Sequence, residues 1–518
     1  MSKNFKRIYI VFIIIFIGFF PFFPRFFMNC DGQFYLARIE AIYRNIKAGI
    51  LLPSIQFGNI DGFSYMEEVF YPGLLYYLPA LLRFIMPISI AFYISLTLYK
   101  ALAIFLTIKL GKKYFEENKV YKFTLLYFSN IIFLYDVLIR ESYSEYMASL
   151  FLPLVFLGIY EVFNKKKGDI LFIGMSMILA THIISLYLST ALVAVYALLN
   201  IKNIKEWFKP LLFAALKTFA VGAYFLIPFL YYFKGYTVTV MNNLPITIQR
   251  PTDILYVITF VLFIVLLAFL TKKFAVFKYL TPVLIFTYFL TPLFPFEVFS
   301  FFYLLQFKRR LFMFLAIYII ILLIQFFSDK YIKMFLIIFG IGSIALMIMT
   351  NYMKGFLETE KFEKSMGYTG EYTLDTEFAD FYMAFVNGEF VPKEVEIVQF
   401  DETYMDVNIW YKEVLEKFED NTFIDEVSHT DTTLTVITDN TEGKIRKLYY
   451  PLYKAYQEGN ENIYLEKNNG FLYAKNILPN KPFTIYYENT YIQYISLLIS
   501  IIFLTVIILR RFLCKNKL

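Results

Sequence analysis

Residues Ile8–Phe27 read IYIVFIIIFIGFFPFFPRFF, and Asn29–Gly49 continue NCDGQFYLARIEAIYRNIKAG. The first stretch matches the roughly 20 apolar residues needed to cross a bilayer. Lys3, Lys6 and Arg7 precede it, and Pro24, Arg25 and Asn29 end it without a small-residue cleavage site. It reads as an uncleaved first span with the N-terminus inside. In the second stretch Phe34, Leu36, Ile39, Ile42, Tyr43 and Ile46 recur at helical spacing. The pattern predicts a helix in the membrane interface, with Arg38, Arg44 and Lys47 on its other side and Asp31 at its start.

The rest of the chain repeats the first signal. Of 518 residues, 59% are hydrophobic and 21% aromatic, with a mean hydropathy of +0.57, values that exclude a soluble enzyme. Further apolar blocks cover roughly 88–109, 122–139, 145–163, 170–184, 186–200, 210–233, 254–271, 279–295, 311–327, 334–350 and 491–510. With the first, this predicts a polytopic α-helical membrane protein of about twelve spans. The lysine-bearing loops at Lys112, Lys165, Lys202, Lys272 and Lys330 then alternate as cytoplasmic, together with both termini. That parity requires the Pro-broken piece Tyr71–Met86 to lie along the outer face.

Charge divides the chain. Residues 355–490 hold 26 acidic and 12 basic side chains, a net −14, whereas the remainder carries +21. The expected organisation is a membrane body over 1–354 with an external first loop at 28–87, an extracytoplasmic domain over 355–490, and a final span with a cytoplasmic tail over 491–518. Thr433–Thr438, Phe471–Ala474 and Phe483–Tyr487 cluster β-formers between turn residues, predicting a mainly β external domain, with helix near Ala379–Val386 and Tyr411–Phe418. Cys30 falls outside and Cys514 inside, so they cannot pair. The basic excess lies in short loops between apolar segments and implies no nucleic-acid partner.

Polar residues concentrate at the outer face. Asp31 is either the N-cap of its helix or a carboxylate placed to deprotonate a hydroxyl. In YDVLIRESYSEYMA, residues 135–148, Asp136 and Arg140 are spaced as an ion pair, while Glu141 and Glu145 repel unless a cation or ligand lies between them. His182 is either a buried neutral imidazole or a ligand-binding group. The run Gln306–Arg310 (QFKRR) places three cations outside, either as snorkelling anchors or as ligands for a lipid phosphate. Asp61 sits beside a glycine turn and is either a turn residue or a second acid of the first loop. No phosphate loop, dinucleotide fingerprint or zinc-protease helix occurs.

The order D-G-x-F-x-x-x-R-I, F-Y-P, R-x-x-x-x-E, a His-bearing span and Q-F-x-x-R resembles the bacterial membrane proteins called 6-pyruvoyl-tetrahydropterin-synthase-related. These are close to the YfhO-like group of the glycosyltransferase type C (GT-C) superfamily. The resemblance covers most of the membrane body. It implies a polyprenyl-phosphate-sugar donor and an external active site, with Asp31 as catalytic base. Arg38 falls on the arginine of the first motif, Arg140 and Glu145 on R-x-x-x-x-E, His182 on the histidine position, and Gln306 and Arg310 on the ends of the last motif. Lys308 and Arg309 stand where the family has Pro-Trp, and no Asp-x-Asp accompanies Asp31, which leaves a divalent metal open and no other cofactor implied.

The reading expected from these residues is an inverting glycosyltransferase of the cell membrane. Arg309, Arg310, Gln306 and His182 would hold the donor phosphate, and Arg38, Arg140, Glu141, Glu145 and Asp61 would support the site. The partners are a polyprenyl-phosphate-sugar lipid and an extracytoplasmic acceptor, either a cell-wall polymer or a glycolipid. A flippase of lipid-linked sugars, or a non-catalytic scaffold with an external binding domain, would use the same polar residues.

Overall fold

The computed structural model describes residues 32–57, 64–130, 142–238, 308–342, 389–392, 423–430 and 432–515, with a few single positions outside these ranges. In chain order the helices are α1 (Gly32–Lys47), α2 (Glu67–Phe70), α3 (Tyr77–Leu82), α4 (Ile88–Gly111), α5 (Glu117–Phe128), α6 (Tyr143–Lys165), α7 (Asp169–Leu179), α8 (Ile183–Leu199), α9 (Ile204–Val221), α10 (Ala223–Tyr232), α11 (Phe312–Phe326) and α12 (Tyr491–Lys515). The chain forms two compact units, one of Met1–Gly32, Ser89–Ala214 and Leu244–Thr373, the other of Gln33–Ile88, Ala215–Asn243 and Leu374–Leu518.

In the first unit α6 and α7 form a close antiparallel hairpin. Gly158 makes the approach possible, since a Cβ there would lie 2.3 Å from the Leu171 Cα. Glu161 ties the hairpin shut: one carboxylate oxygen accepts from the Ile170 N–H at 2.7 Å, the other from the Tyr114 hydroxyl at 2.6 Å. Lys166, in the left-handed conformation with φ 56°, ends α6. Helix α11 packs beside α5 and α6.

The second unit is built on antiparallel strands β3 (Asp425–His429), β4 (Thr433–Ile437), β5 (Glu442–Leu448), β6 (Tyr453–Tyr456), β7 (Tyr464–Asn468), β8 (Phe471–Lys475) and β9 (Phe483–Tyr487), preceded by a small pair, β1 (Tyr236–Val238) and β2 (Glu389–Pro392). One sheet runs β3-β4-β9-β6, the other β5-β8-β7. Alternation turns Leu434, Val436, Phe483 and Ile485 inward, and each such burial contributes roughly 1.5–3 kcal/mol. The same core takes in Ile55, Phe57, Tyr65, Met66 and Phe70. Part of the segment 28–87, expected as an external first loop, is therefore a structural layer of the β module. Helix α12 packs along α10, where the Tyr224 N–H donates to Ser500 Oγ at 2.9 Å.

The span count needs correction. Among the described residues three helices are long and apolar enough to cross a membrane, Ile90–Gly111, Tyr143–Lys165 and Tyr491–Leu509, or four if the pair α8 and α9, bent by 79°, counts as one. A polytopic body of about twelve spans, and with it the GT-C-like architecture, does not hold; the observed fold is a mixed helical body with a C-terminal β region. The cause is local: α5 stops after 12 residues, α7 after 11 and α11 after 15. Thr181 and His182 break the 170–184 block, and Gly222 breaks the 210–233 block. Hydropathy blocks do not register such interruptions. The blocks at 254–271 and 279–295, most of the first span, and the helices expected near Ala379 and Tyr411 lie outside the described residues.

Candidate functional site

Two residues singled out from separate motifs meet in the first unit. Arg310 leaves a single-turn 3-10 segment, Lys308–Leu311, at the head of α11, and its Nε donates to Glu145 Oε2 at 3.2 Å across 165 positions of sequence. Glu145 lies in the first turn of α6. Both side chains are buried, 9% and 5% exposed. The cation that the Glu141/Glu145 spacing called for is thus supplied, for Glu145, by Arg310. A buried charge pair of this kind is held by mutual neutralisation, and loss of either partner strands the other.

His182 caps α8. Its Nδ1 accepts from the Ser185 N–H at 3.2 Å and lies 2.7 Å from Ser185 Oγ. A ring nitrogen that accepts from a backbone N–H carries no proton, so the neutral ring holds its hydrogen on Nε2 and can donate there. Asp136 is buried, and its backbone carbonyl accepts from the Ser142 N–H. Asp31, Asp61, Arg140, Glu141 and Gln306 lie outside the described residues, and of Arg309 the backbone alone is described, within the 3-10 turn.

Arg38 departs from its expected place on a polar outer face. It is fully buried in the second unit, with Nε 3.0 Å from Glu67 Oε1 and 2.8 Å from Glu68 Oε1. Nη2 donates to Glu68 Oε2 at 3.1 Å and to the Tyr71 carbonyl at 2.8 Å. The guanidinium sits over the rings of Tyr71 and Tyr76, at 5.3 and 5.0 Å. Burial alone would lower its pKa, but Glu67 and Glu68 outweigh that and hold it above the ordinary value. Gly73 leaves room for the cluster, because a Cβ there would come within 2.1 Å of Glu68 Oε2. Glu67 and Glu68 were not anticipated, although two acids inside the apolar run YMEEVFYPG are a legible sign of a buried cation nearby.

A second unanticipated cluster lies inside the β module. A bulge between Ile445 and Leu448 in β5 and another between Glu426 and Ser428 in β3 break the alternation next to Lys447 and His429. Lys447 is fully buried; its Nζ donates to the Phe57 carbonyl at 2.8 Å, lies 3.0 Å from His429 Nε2, and stands 4.2 Å from the centre of the Phe57 ring. Burial pushes the Lys447 amine down from 10.5 to about 7, with Glu426 opposing and Arg446 adding to the shift. Burial and the neighbouring Lys447 push His429 from 6.5 to about 4.

The linkage follows from the sign of those shifts. Between pH 7 and 10.5 the unfolded chain binds a proton at Lys447 that the folded chain does not, so stability climbs as pH rises through that window. Between pH 6.5 and 4 His429 acts in the same sense, and stability falls as pH drops. Chemical denaturation followed across pH should show both slopes, with Lys447→Met flattening the alkaline one. An unchanged alkaline slope in that variant would remove Lys447 as its source.

Among the described residues no group of three or more His, Cys, Asp or Glu side chains is placed to hold a metal ion. The class defined so far is a chain with membrane-length helices, a buried Glu–Arg pair in its helical unit, and a β module completed by the segment after residue 32. No family model and no curated protein matches the chain.

Proposed function

We propose that the protein is a membrane-bound glycosyltransferase that moves a sugar from a polyprenyl-phosphate donor to an acceptor hydroxyl on the outer side of the cell membrane, in keeping with its resemblance to the YfhO-like group. The observation that carries the reading is the Glu145–Arg310 pair. A guanidinium oriented by a buried carboxylate at the head of a helix is a preorganised group for a phosphate oxygen. Asp31 would take the proton of the acceptor hydroxyl, whose oxygen attacks the anomeric carbon from the face opposite the phosphate. The bond from that carbon to the phosphate oxygen breaks, and the electron pair leaves on the phosphate. Arg310 meets the developing charge, with Arg309 and the Nε2–H of His182 as further donors. The extracytoplasmic segment 355–490, rich in acidic side chains, presents the acceptor glycan or lipid.

The test is sugar transfer by purified full-length protein in liposomes supplied with polyprenyl-phosphate-linked sugars. Arg310→Lys keeps a cation for Glu145 but removes the planar fork, so transfer should fall roughly 10²-fold while the protein stays folded. Transfer by this variant at the wild-type rate would take Arg310 out of the mechanism. A wild-type protein that carries a labelled lipid-linked sugar across the bilayer without transferring it is a flippase, and the proposal fails.

A further inference from the structure

Helices α8 and α9 meet at an elbow of 79°. It is pinned from inside: Trp207 Nε1 donates to the Asn200 carbonyl at 2.9 Å, and the Trp207 ring packs against Phe163 at 5.4 Å. Asn200 Nδ2 donates back to the Tyr196 carbonyl at 2.8 Å, closing the end of α8. On α9 the turn at Gly168 comes so close that a Cβ there would lie 2.5 Å from the Pro210 carbonyl oxygen. Trp207, Ala214 and Thr218 are buried, and they fall on one narrow stripe of the helix.

Over Ile204–Leu212 the exposed positions of α9 are sorted by chemistry. At 100° per residue, Ile204, Phe208, Leu212 and Phe219 lie together on one flank of the buried stripe, all exposed. Lys205 and Lys209 lie on the far side, and Lys202 precedes them in the elbow. Glu206 and Lys217 continue the polar side, on which the exposed Phe213 and Leu216 of the second half also fall. Glu206 is paired to Lys166 at 2.7 Å, which brings the exposed run Lys165–Lys167 beside the lysine stripe. Leu198 and Leu199, 69% and 76% exposed, extend the apolar surface past the bend.

A helix with protein on one side, an apolar flank on the next and lysines beyond it matches an amphipathic helix lying in a bilayer surface rather than crossing it. We propose that α9 lies in the membrane plane, its Ile204–Phe208–Leu212 flank inserted among the lipid chains and its lysines engaging the headgroups of anionic phospholipids. The charge complementarity is local: Lys202, Lys205 and Lys209 are exposed and stand free of any described carboxylate, on the helix that the exposed Lys166 reaches through Glu206. The inference needs the chain to be membrane-bound, as the proposed function does, but does not need it to transfer a sugar.

The experiment uses full-length protein with Cys30→Ser and Cys514→Ser, carrying a nitroxide at Ile204→Cys, Phe208→Cys, Leu212→Cys or Phe219→Cys in turn. It is reconstituted in phosphatidylcholine vesicles with and without phosphatidylglycerol. Relative accessibility to oxygen and to a nickel chelate reads the depth. An in-plane helix places all four labels at one shallow depth, about 5–10 Å below the phosphates. A crossing helix spreads them over about 22 Å, at 1.5 Å per residue, and overturns the inference while leaving the membrane reading intact. Four water-exposed labels would overturn the lipid contact itself. With Lys202→Gln, Lys205→Gln and Lys209→Gln combined, the labels should move outward in phosphatidylglycerol vesicles alone. An unchanged depth there would overturn the role given to anionic headgroups.

Discussion

Replacing Arg38 with methionine lowers the stability of the second unit by about 3–5 kcal/mol, because it leaves two carboxylates buried without their cation. Few single changes approach that size, and the mechanism is specific. Glu67 is fully buried and the Glu68 side chain is 6% exposed, so solvent cannot take over the role of the guanidinium. Lysine does not substitute well either, since one ammonium cannot reach both carboxylates and the Tyr71 carbonyl as the planar fork does. Thermal or urea unfolding of the purified protein measures the loss. Combining Arg38→Met with Glu67→Gln and Glu68→Gln should recover most of it, as expected when the cost lies in stranded charge. A single variant as stable as wild type would mean that the cluster contributes nothing to the fold.

Asp31→Asn is expected to leave a folded protein that transfers sugar roughly 10²-fold or more slowly. Helix α1 is described from Gly32, and at the start of a helix Asn caps as well as Asp. A role confined to capping therefore predicts full activity, whereas a general base cannot lose its carboxylate. Transfer near the wild-type rate by the Asn variant removes Asp31 from the chemistry. A variant that loses both activity and thermal stability would point instead to a structural role.

How much of this was legible in the sequence varied with the physics involved. Strands β4 and β9 were readable because Leu434 and Val436, or Phe483 and Ile485, alternate cleanly with outward residues, and β8 because Phe471–Ala474 clusters β-formers beside turn residues. Strand β5, EGKIRKL, was not, since its bulge breaks the alternation and turns a lysine inward where period-two reasoning expects an apolar side chain. The helix after Asp31 was found by its spacing, but Arg38 was put on its polar face, because its neutralising partners lie 29 and 30 positions further along. Span counting failed for a related reason: a hydropathy window averages over breaks such as Thr181–His182 and Gly222. Of the site, the need for a cation beside Glu145 could be read from the repulsion between two glutamates, while the identity of that cation required three dimensions.

The β module waits for its first layer in an unusual way. Phe57 and Lys447 touch across 390 positions, and Ile55, Tyr65, Met66 and Phe70 belong to a core whose remaining members are mostly translated hundreds of codons later. At roughly 5–20 residues per second, a ribosome takes about 20–80 s to cover that distance. Throughout that interval a cluster of apolar and charged side chains from the early segment has no native surface to cover it. The module cannot be harvested as a separate C-terminal fragment, and a nascent chain stalled before Phe483 carries an open binding face for any holding factor stationed where the segment emerges.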